Sequence, residues 1–366
     1  EWEPSLCFLS EGGSDRGVRL ADIDGNGLID VLRAQEGYTN LSFVNNASKS
    51  YLLSNITIEL GGIIHIDYEK STHFSNIGND TLGDLGFNIW VVSNITYDNG
   101  INSPHRLNYT SFYNYSSGLY NYKDKEFRGF GYVEEKISNK VTKHYFHQDV
   151  ARKGREYKTE ILDSQGNPYK TLQQLWNSEQ QNNYYIVELN EEAELDFNGD
   201  VSNPQIKNTT YGYDSFGNVI YTHKKGDVDN ADDDRFEYYN YLNNSNAWIV
   251  DKAKNYSLLS SNNSTVLRTA LYTYDDLEHN QEPIKGDVTK KEEVLDNINN
   301  PVTNYSYDLL GNLVNETNPK EKRTEYIYGM KDTTRTFVDR SVNSKKHETD
   351  YDYELGTGNL NNKTDY

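Results

Sequence analysis

The sequence has a single cysteine, Cys7, among 366 residues, so it contains no internal disulfide framework. Alanine is rare, whereas asparagine, threonine, tyrosine and glycine are abundant. Apolar residues make up only 35% of the chain, and 31 residues are tyrosines. Leucine, isoleucine and valine occur in short runs, which suits thin, half-buried sheets better than a thick helical core. The composition therefore predicts an almost entirely β protein.

Positive charge is also scarce. The chain has 36 Lys and Arg residues against 56 Asp and Glu residues, a formal net charge of −20. A nucleic-acid partner requires a basic face, and anionic membrane surfaces also attract cations, so this balance argues against both. The simplest role of such a charge is solubility. No apolar run reaches membrane-spanning length, so we expect no membrane insertion by this segment.

The chain lacks an initiating methionine and a signal peptide, and its last residues fall within a repeat described below. We interpret it as a segment of a longer polypeptide. Many Asn-x-Ser/Thr sequons are present, including Asn55, Asn94, Asn108 and Asn304. An asparagine-rich composition explains them as readily as glycosylation does.

The most informative pattern is a string that occurs twice, YGYDSFGNV at 211–219 and YSYDLLGNL at 305–313. Tyrosines two positions apart lie on one face of a strand, because successive side chains alternate. The aspartate accepts backbone N–H bonds, and Gly-Asn adopts the positive φ that a tight turn needs. Each string therefore predicts a β-hairpin. The defining residues are Tyr211, Tyr213, Asp214, Gly217 and Asn218 in the first string and Tyr305, Tyr307, Asp308, Gly311 and Asn312 in the second.

Related strings at 162–171, 272–292 and 351–366 indicate further hairpins with loops of unequal length. The predicted turn glycines are Gly166, Gly217, Gly286, Gly311 and Gly358. A repeated unit that cannot bury its own face must stack on its neighbours. The second half of the chain is therefore predicted to be a sheet built from successive hairpins.

A short acidic loop near the start, ADIDGNGLIDVL at 21–32, has the spacing of a calcium-binding turn. Oxygen donors recur around Gly27, where the chain must turn sharply, and Ca²⁺ prefers such donors. The flanks indicate strands, which argues against an EF-hand and for the calcium loop of a propeller blade. A turn without metal stays open, because Arg33 stands where an EF-hand has its bidentate glutamate. The predicted ligands are Asp22, Asp24, Asn26, the carbonyl of Leu28 and Asp30.

No recognised catalytic pattern is present: the sequence has no G-x-S-x-G elbow, H-E-x-x-H pair, P-loop or dinucleotide fingerprint. His144 and His147 are the closest pair among eight histidines. On a strand, positions three apart face opposite sides, which argues against a shared metal. We therefore expect no enzymatic activity.

Between the acidic loop and the repeats, apolar runs predict a second β-rich region. Acidic stretches at 190–200 and 226–235 are interpreted as exposed, solvated loops. The strands of the β-rich region are expected at 52–60, 63–68, 87–96, 106–115, 131–137 and 141–147.

The stretch KEFRGFGYVEEK at 125–136 resembles the junction segment of the B component of insecticidal toxin complexes and of SpvB-type virulence proteins. Its glycines indicate a bulge or a close backbone approach within a strand. Stretches at 60–72, 90–100 and 145–155 resemble neighbouring signatures of that family, and the Tyr-Asp repeats follow as in Rhs and teneurin-like shells. The matching motif residues are Phe127, Arg128, Gly129, Phe130 and Gly131.

The resemblance implies an architecture and a role. Residues 1–45 would form the last propeller segment, of FG-GAP/VCBS-like type, 46–158 a middle β domain, and 159–366 the first YD/Rhs hairpins of a hollow shell. Such a shell encloses a toxic C-terminal effector, and the propeller docks on a pore-forming A-type component that delivers it. The expected role is a non-catalytic, extracellular containment wall. Its partners would be the pore-forming component, the remaining shell and the effector.

The sequence departs from that family in three respects. Most of the propeller and the effector domain are absent, and none of the prolines follows an aspartate, so the D-P-x-G strings of the self-cleavage region are missing. A cell-surface YD-repeat adhesion or recognition protein is the alternative interpretation. The sequons and the tyrosine-rich surface support it.

Overall fold

The computed structural model of the chain describes residues 7–47, 51–58, 61–78, 84–197, 199, 201–295 and 299–366. Within these ranges the structure is almost entirely antiparallel β-sheet, with 3-10 turns at Ser71–His73 and Ala231–Asp233. No helix in the described part of the chain has the length and apolar character of a membrane span. The prediction of an all-β fold is confirmed.

The chain divides into two compact units, Glu1–Gln205 and Ile206–Tyr366. The first unit begins with a small antiparallel sheet of three strands, β1 (Val18–Ala21), β2 (Asp30–Arg33) and β3 (Leu41–Phe43). A longer antiparallel meander follows, in which each strand pairs with the next. Its strands are β4 (Asn55–Thr57), β5 (Ile63–Lys70), β6 (Trp90–Asp98), β7 (Asn108–Asn121), β8 (Glu126–Ile137), β9 (Lys140–Phe146), β10 (Glu156–Asp163), β11 (Pro168–Gln181) and β12 (Tyr184–Asp196).

The second unit is a meander of hairpins with the same neighbour-to-neighbour pairing. Its sequence is rich in tyrosine and threonine, which favour the extended backbone. Its strands are β13 (Gln205–Tyr213), β14 (Val219–Lys225), β15 (Arg235–Asn244), β16 (Ile249–Leu259), β17 (Val266–Tyr274), β18 (Val288–Val294), β19 (Val302–Tyr307), β20 (Leu313–Thr317), β21 (Arg323–Tyr328), β22 (Val338–Val342), β23 (Glu348–Glu354) and β24 (Asn359–Asp365).

The hydrophobic core is thin in both units. Within each unit, the described strands that make extensive contacts are neighbours in a sheet, and few apolar side chains are buried, which is the pattern expected of single-layer meanders. Most strand residues are half-buried, and large apolar side chains such as Leu175 and Leu267 remain exposed. The sheets therefore depend on contacts within the layer rather than on a second packed layer. The buried apolar residues of the described chain are Val18, Val31, Leu85, Val91, Leu162, Phe236, Leu242, Ala270 and Tyr274.

The six strands expected between 52 and 147 overlap β4 to β9, although the prediction at 52–60 extends over residues 59 and 60, which lie outside the described ranges. The interpretation of 190–200 as a loop is wrong for residues 190–196, which belong to β12. The ladder stabilises this acidic stretch as a strand, because Glu192 accepts a hydrogen bond from Gln174 and Glu194 pairs with Lys170 across β11. The sheet also continues through residue 158, where β10 pairs with β9 and β11. The domain limits at 45 and 158 stay predictions.

Candidate calcium loop and hairpin clamps

The turns of the two Tyr-Asp hairpins have the same geometry. Asp214 Oδ1 accepts the backbone N–H groups of Phe216 and Asn218, both at 2.9 Å, and Oδ2 accepts the Asn218 side-chain amide at 2.9 Å. Asp308 makes the equivalent three bonds at 2.9, 3.0 and 3.2 Å. Burial alone would raise the pKa of Asp214, but the hydrogen bonds outweigh it and lower that pKa. The aspartate therefore closes the turn as a charged acceptor, and Gly217 and Gly311 have φ values of 86° and 85°.

Two further turns of this kind escaped the sequence analysis. Asn318 Oδ1 accepts the backbone N–H groups of Lys320 and Lys322 at 2.9 and 3.1 Å, and Asn343 does the same for Lys345 and His347 at 2.9 and 3.1 Å. The glycine position is taken by Glu321 and Lys346, which have φ values of 56° and 68°. An amide oxygen replaces the carboxylate, and a non-glycine residue tolerates the left-handed conformation. Neither turn has the Gly-Asn pair of the repeat, so the Asp-x-x-Gly-Asn pattern does not identify them.

Tyrosine hydroxyls connect successive hairpins. In four Tyr-x-Tyr pairs of the second unit, the second tyrosine donates to a backbone carbonyl on the preceding strand, which belongs to the previous hairpin. The ring therefore lies across two strands, and its buried hydroxyl satisfies a carbonyl there. Burial is the main cause that raises the pKa of Tyr307, and the charge of Asp287 adds to it. The hairpin clamps are Tyr241 to Val219 at 2.9 Å, Tyr274 to Ala253 at 2.8 Å, Tyr307 to Val288 at 3.0 Å and Tyr328 to Leu313 at 3.1 Å.

Tyr305, the first tyrosine of its pair, has a different role from Tyr307. Tyr305 is paired with Glu316 across β19 and β20, and its hydroxyl has no hydrogen-bond partner within the described ranges. Because Tyr305 and Tyr307 are two positions apart on β19, they share a face of the sheet, but only Tyr307 acts as a clamp. Sequence periodicity predicted the shared face and could not predict the acceptor, because the acceptor lies on another hairpin.

The R-G-F-G segment lies in β8, and a residue outside the motif, Gln148, holds its backbone in place by hydrogen bonds. Gln148 Nε2 donates to the carbonyls of Ser117 and Gly129 at 2.7 and 2.9 Å. Gly129 has a φ of 84°. A Cβ atom at Gly131 would lie 2.8 Å from Gln148 Oε1 and 3.2 Å from Ser117 Cβ. The glycines thus permit a positive φ at one position and a close side-chain approach at the other.

The remaining motif side chains pack on either side of this backbone. Phe130 contacts Tyr115 and Phe127, with ring centroids 4.9 and 5.7 Å away. The Arg128 guanidinium is largely buried and pairs with Asp124 at 2.7 Å. Gln148 belongs to the 145–155 signature, so the structure gives a physical reason for the two motifs to occur together.

The acidic loop between β1 and β2 brings together three of the five predicted calcium ligands. Carboxylate oxygens of Asp22, Asp24 and Asp30 lie within 4.8 Å of one another, and no other group of at least three acidic, histidine or cysteine side chains in the described chain is arranged for a metal. Asp30 is fully buried. Three carboxylates this close repel one another, and a divalent cation would relieve that repulsion.

The other two predicted ligands are placed differently. Asn26 Oδ1 accepts the backbone N–H of Leu28 at 2.8 Å, so this oxygen is already engaged, and no contact marks the Leu28 carbonyl as a ligand in the described structure. The loop itself is well anchored. Asp22 accepts the backbone N–H groups of Asn26 and Gly27 at 2.9 and 2.8 Å, and the carbonyl of Gly25 accepts from Thr72 at 3.0 Å. Asp24 and Asp30 also accept backbone N–H groups, so a cation would share the oxygens of all three carboxylates with the hydrogen bonds that anchor the loop.

His144 and His147, the closest histidine pair in the sequence, lie near different carboxylates. His144 Nδ1 lies 2.7 Å from Glu156, whereas His147 follows the end of β9 and lies 3.8 Å from Asp149. Burial, with the charge of Arg152, lowers the pKa of His147. Each imidazole therefore has its own carboxylate neighbour.

Comparisons with known proteins agree with this architecture. Residues 9–160 match the family model for the insecticide toxin TcdB middle/N-terminal region. No curated protein sequence matches the chain. The solved structure of TcdB2-TccC3 without its hypervariable C-terminal region has a TM-score of 0.61 at 13% identity, covering 98% of this chain and 25% of the other. A Photorhabdus luminescens Tc holotoxin pore structure has a TM-score of 0.61 at 12% identity, covering 95% of this chain and 24% of the other.

Each unit therefore contains a meander of antiparallel hairpins, a fold shared with the solved toxin-complex structures. The resemblance to toxin-complex B components is confirmed, and the match to the TcdB middle/N-terminal family model covers residues 9–160. The chain spans about a quarter of the length of these solved structures.

Proposed function

We propose that this chain is a non-catalytic part of a toxin-delivery shell, which encloses a C-terminal effector for delivery through a pore-forming partner. The observation that carries the proposal is the single-layer meander held together within its own plane. A wall must be thin and must hold its shape while both faces contact something other than a hydrophobic core. The tyrosine clamps and aspartate turns supply that cohesion strand by strand.

The chemistry of the sheet also suits containment. The exposed and half-buried side chains are mixed tyrosines and charged residues, among them Lys291, Glu293 and Arg268, which pair with one another. These ion pairs place polar groups on the surface of the sheet, which suits a wall that contacts water or an enclosed polar chain. We further propose that the polypeptide acts outside the producing cell, in a complex with the pore-forming component, and that this segment has no catalytic site of its own.

Calcium is proposed as a structural ion in the acidic loop. Asp22, Asp24 and Asp30 would hold it, with Asn26 and the Leu28 carbonyl as neutral donors after reorientation. Its role would be to fix the β1–β2 connection, which contacts the 3-10 turn through Thr72.

The test uses the complete polypeptide that contains this chain. A segment enclosed by the shell should resist limited proteolysis under native conditions. Combined Tyr274→Phe and Tyr307→Phe substitutions loosen two clamps and should make the segment cleavable, whereas Tyr272→Phe with Tyr305→Phe should leave it protected. Rapid cleavage of the C-terminal segment in the unmodified protein would contradict containment and favour a surface adhesion role.

A further inference from the structure

One edge of the second unit presents apolar side chains at successive turns. In an antiparallel meander, the turns that join β13 to β14, β15 to β16, and so on to β24 all lie at the same end of the strands. Here an edge means the border of the sheet that is formed by the turns at one end of its strands. Each of these six turns carries an exposed large apolar residue, and Leu309 and Trp248 are 96% and 76% exposed. We call this set the apolar turn row: Phe216, Trp248, Ile284, Leu309, Met330 and Leu355.

The fold does not require these apolar residues. The turn at 308–312 exposes Leu309 and Leu310, yet the same pattern of hydrogen bonds is made at 163–167 with Ser164 and Gln165. On the opposite edge of the second unit, the turns at 318–322 and 343–347 carry lysines at their tips. The same turn geometry accommodates serine, glutamine or lysine. Turn formation therefore does not explain why Leu309 and Leu310 are leucines exposed to solvent.

The row is held at fixed spacing by bonds between its turns. The side-chain amides of Asn218, Asn244 and Asn312 donate to carbonyls of the next hairpin, at Val250, Pro283 and Arg335, over distances of 2.7, 2.8 and 3.0 Å. The rings of Phe216 and Trp248 lie 6.5 Å apart. Alternate turns of a sheet are separated by two strand spacings, roughly 9.5 Å. The apolar groups therefore form an ordered array, which lowers the entropic cost of docking a partner.

The charge around the row is negative. The six turns, at 214–218, 245–248, 275–287, 308–312, 329–337 and 355–358, contain eight Asp and Glu residues against three Lys and Arg residues. Asp276, Glu278 and Glu282 are at least partly exposed beside Ile284. A second copy of the row would present the same negative charge, so like-charge repulsion opposes self-pairing.

We propose that the apolar turn row is a docking surface for a partner protein whose matching face is apolar and ringed by lysine or arginine. Apolar burial would supply the affinity, and the acidic turns would select against neutral or acidic partners. The proposal does not depend on containment by the shell, because the turns lie at an edge of the sheet rather than on its faces.

The test measures binding of a fluorescent helical peptide made of leucine and lysine to the full chain by anisotropy at low salt. The Leu309→Ser, Leu310→Gln variant copies the natural 163–167 turn and should weaken binding roughly tenfold, the effect expected for losing partial burial of two leucines. The control, Pro319→Ser with Lys320→Gln, makes the same tip on the opposite edge and removes one positive charge, so it should bind the lysine peptide at least as tightly as the wild type does. Thermal unfolding should show both variants folded.

A companion peptide of leucine and glutamate with the same apolar spacing tests the charge argument and should bind at least roughly tenfold more weakly than the lysine peptide. Equal binding of both peptides, or equal affinities of the two double variants for the lysine peptide, would overturn the proposal. Sedimentation velocity provides the last outcome. Self-association of the wild type that Leu309→Ser, Leu310→Gln abolishes would assign the row to a second copy instead.

Discussion

Removal of the Tyr307 hydroxyl isolates one clamp between hairpins. Tyr307→Phe keeps the ring and deletes a 3.0 Å hydrogen bond to the Val288 carbonyl. A hydrogen bond of this kind contributes about 0.5–1.5 kcal/mol net, and the half-buried carbonyl left behind adds to the cost, so we expect a loss of about 1–2 kcal/mol. Urea unfolding followed by far-UV circular dichroism measures it.

Tyr305→Phe is the matched control, because Tyr305 lies on the same strand and face but its hydroxyl makes no hydrogen bond among the described residues. It should change the free energy of unfolding by less than about 0.5 kcal/mol. If both variants lose the same stability, ring packing rather than the clamp holds adjacent hairpins together, and the argument for in-plane cohesion fails.

The same pair of variants has a pH signature. The pKa of Tyr307 is raised above 10.0 in the folded chain by burial and by Asp287. Its contribution to stability is therefore complete below the unfolded pKa of about 10 and is lost as pH rises through the folded pKa. Between about pH 9 and pH 11, Tyr307→Phe should lose less stability than the wild type. An identical alkaline loss in both proteins would mean that other groups dominate.

Three further outcomes are expected. Calcium should raise the melting temperature of the wild-type chain, since a ligand that binds only the folded state stabilises it. The Asp24→Ala variant should lose this rise in melting temperature. An unchanged rise would show that the loop is a turn without a calcium site. Gly131→Val should sharply lower soluble yield and cost about 1–3 kcal/mol by overpacking, with a smaller cost when Gln148 is already alanine. Equal urea stability of Gly131→Val and wild type would refute the close approach. Asp214→Ala should cost about 1–2 kcal/mol, whereas Asp214→Asn should cost less, because Asn318 and Asn343 build the same turn. Equal costs in urea unfolding would show that the side-chain acceptor is not what closes the turn.

The sequence was sufficient for the features that depend on local rules. Period-two tyrosines and the Asp-x-x-Gly-Asn spacing identify strand, turn and strand, because those choices are made within nine residues. Gly217 and Gly311 have the positive φ that the turn type demands. The acidic loop is similarly local, and its three carboxylates converge.

Features that depend on distant partners could not be predicted. The clamp from Tyr274 ends on Ala253, and the Gln148 bonds end on Ser117 and Gly129, so neither is encoded in a contiguous string. The loop prediction for 190–196 is wrong because it rests on the acidic composition alone. In the structure, pairing of these acidic residues with Lys170 and Gln174 of the neighbouring strand β11 stabilises a strand. Tertiary context overrides composition where a ladder neighbour supplies the compensating charge or hydrogen bond.

The central claim is that this sheet is a wall, and electron cryomicroscopy of the complete polypeptide tests it most directly. The hairpins of β13 to β24 should form a single layer, with one face toward solvent and the other toward an enclosed volume that contains density for the C-terminal segment. A map in which both faces of that layer contact bulk solvent, with the C-terminal segment outside, would contradict it.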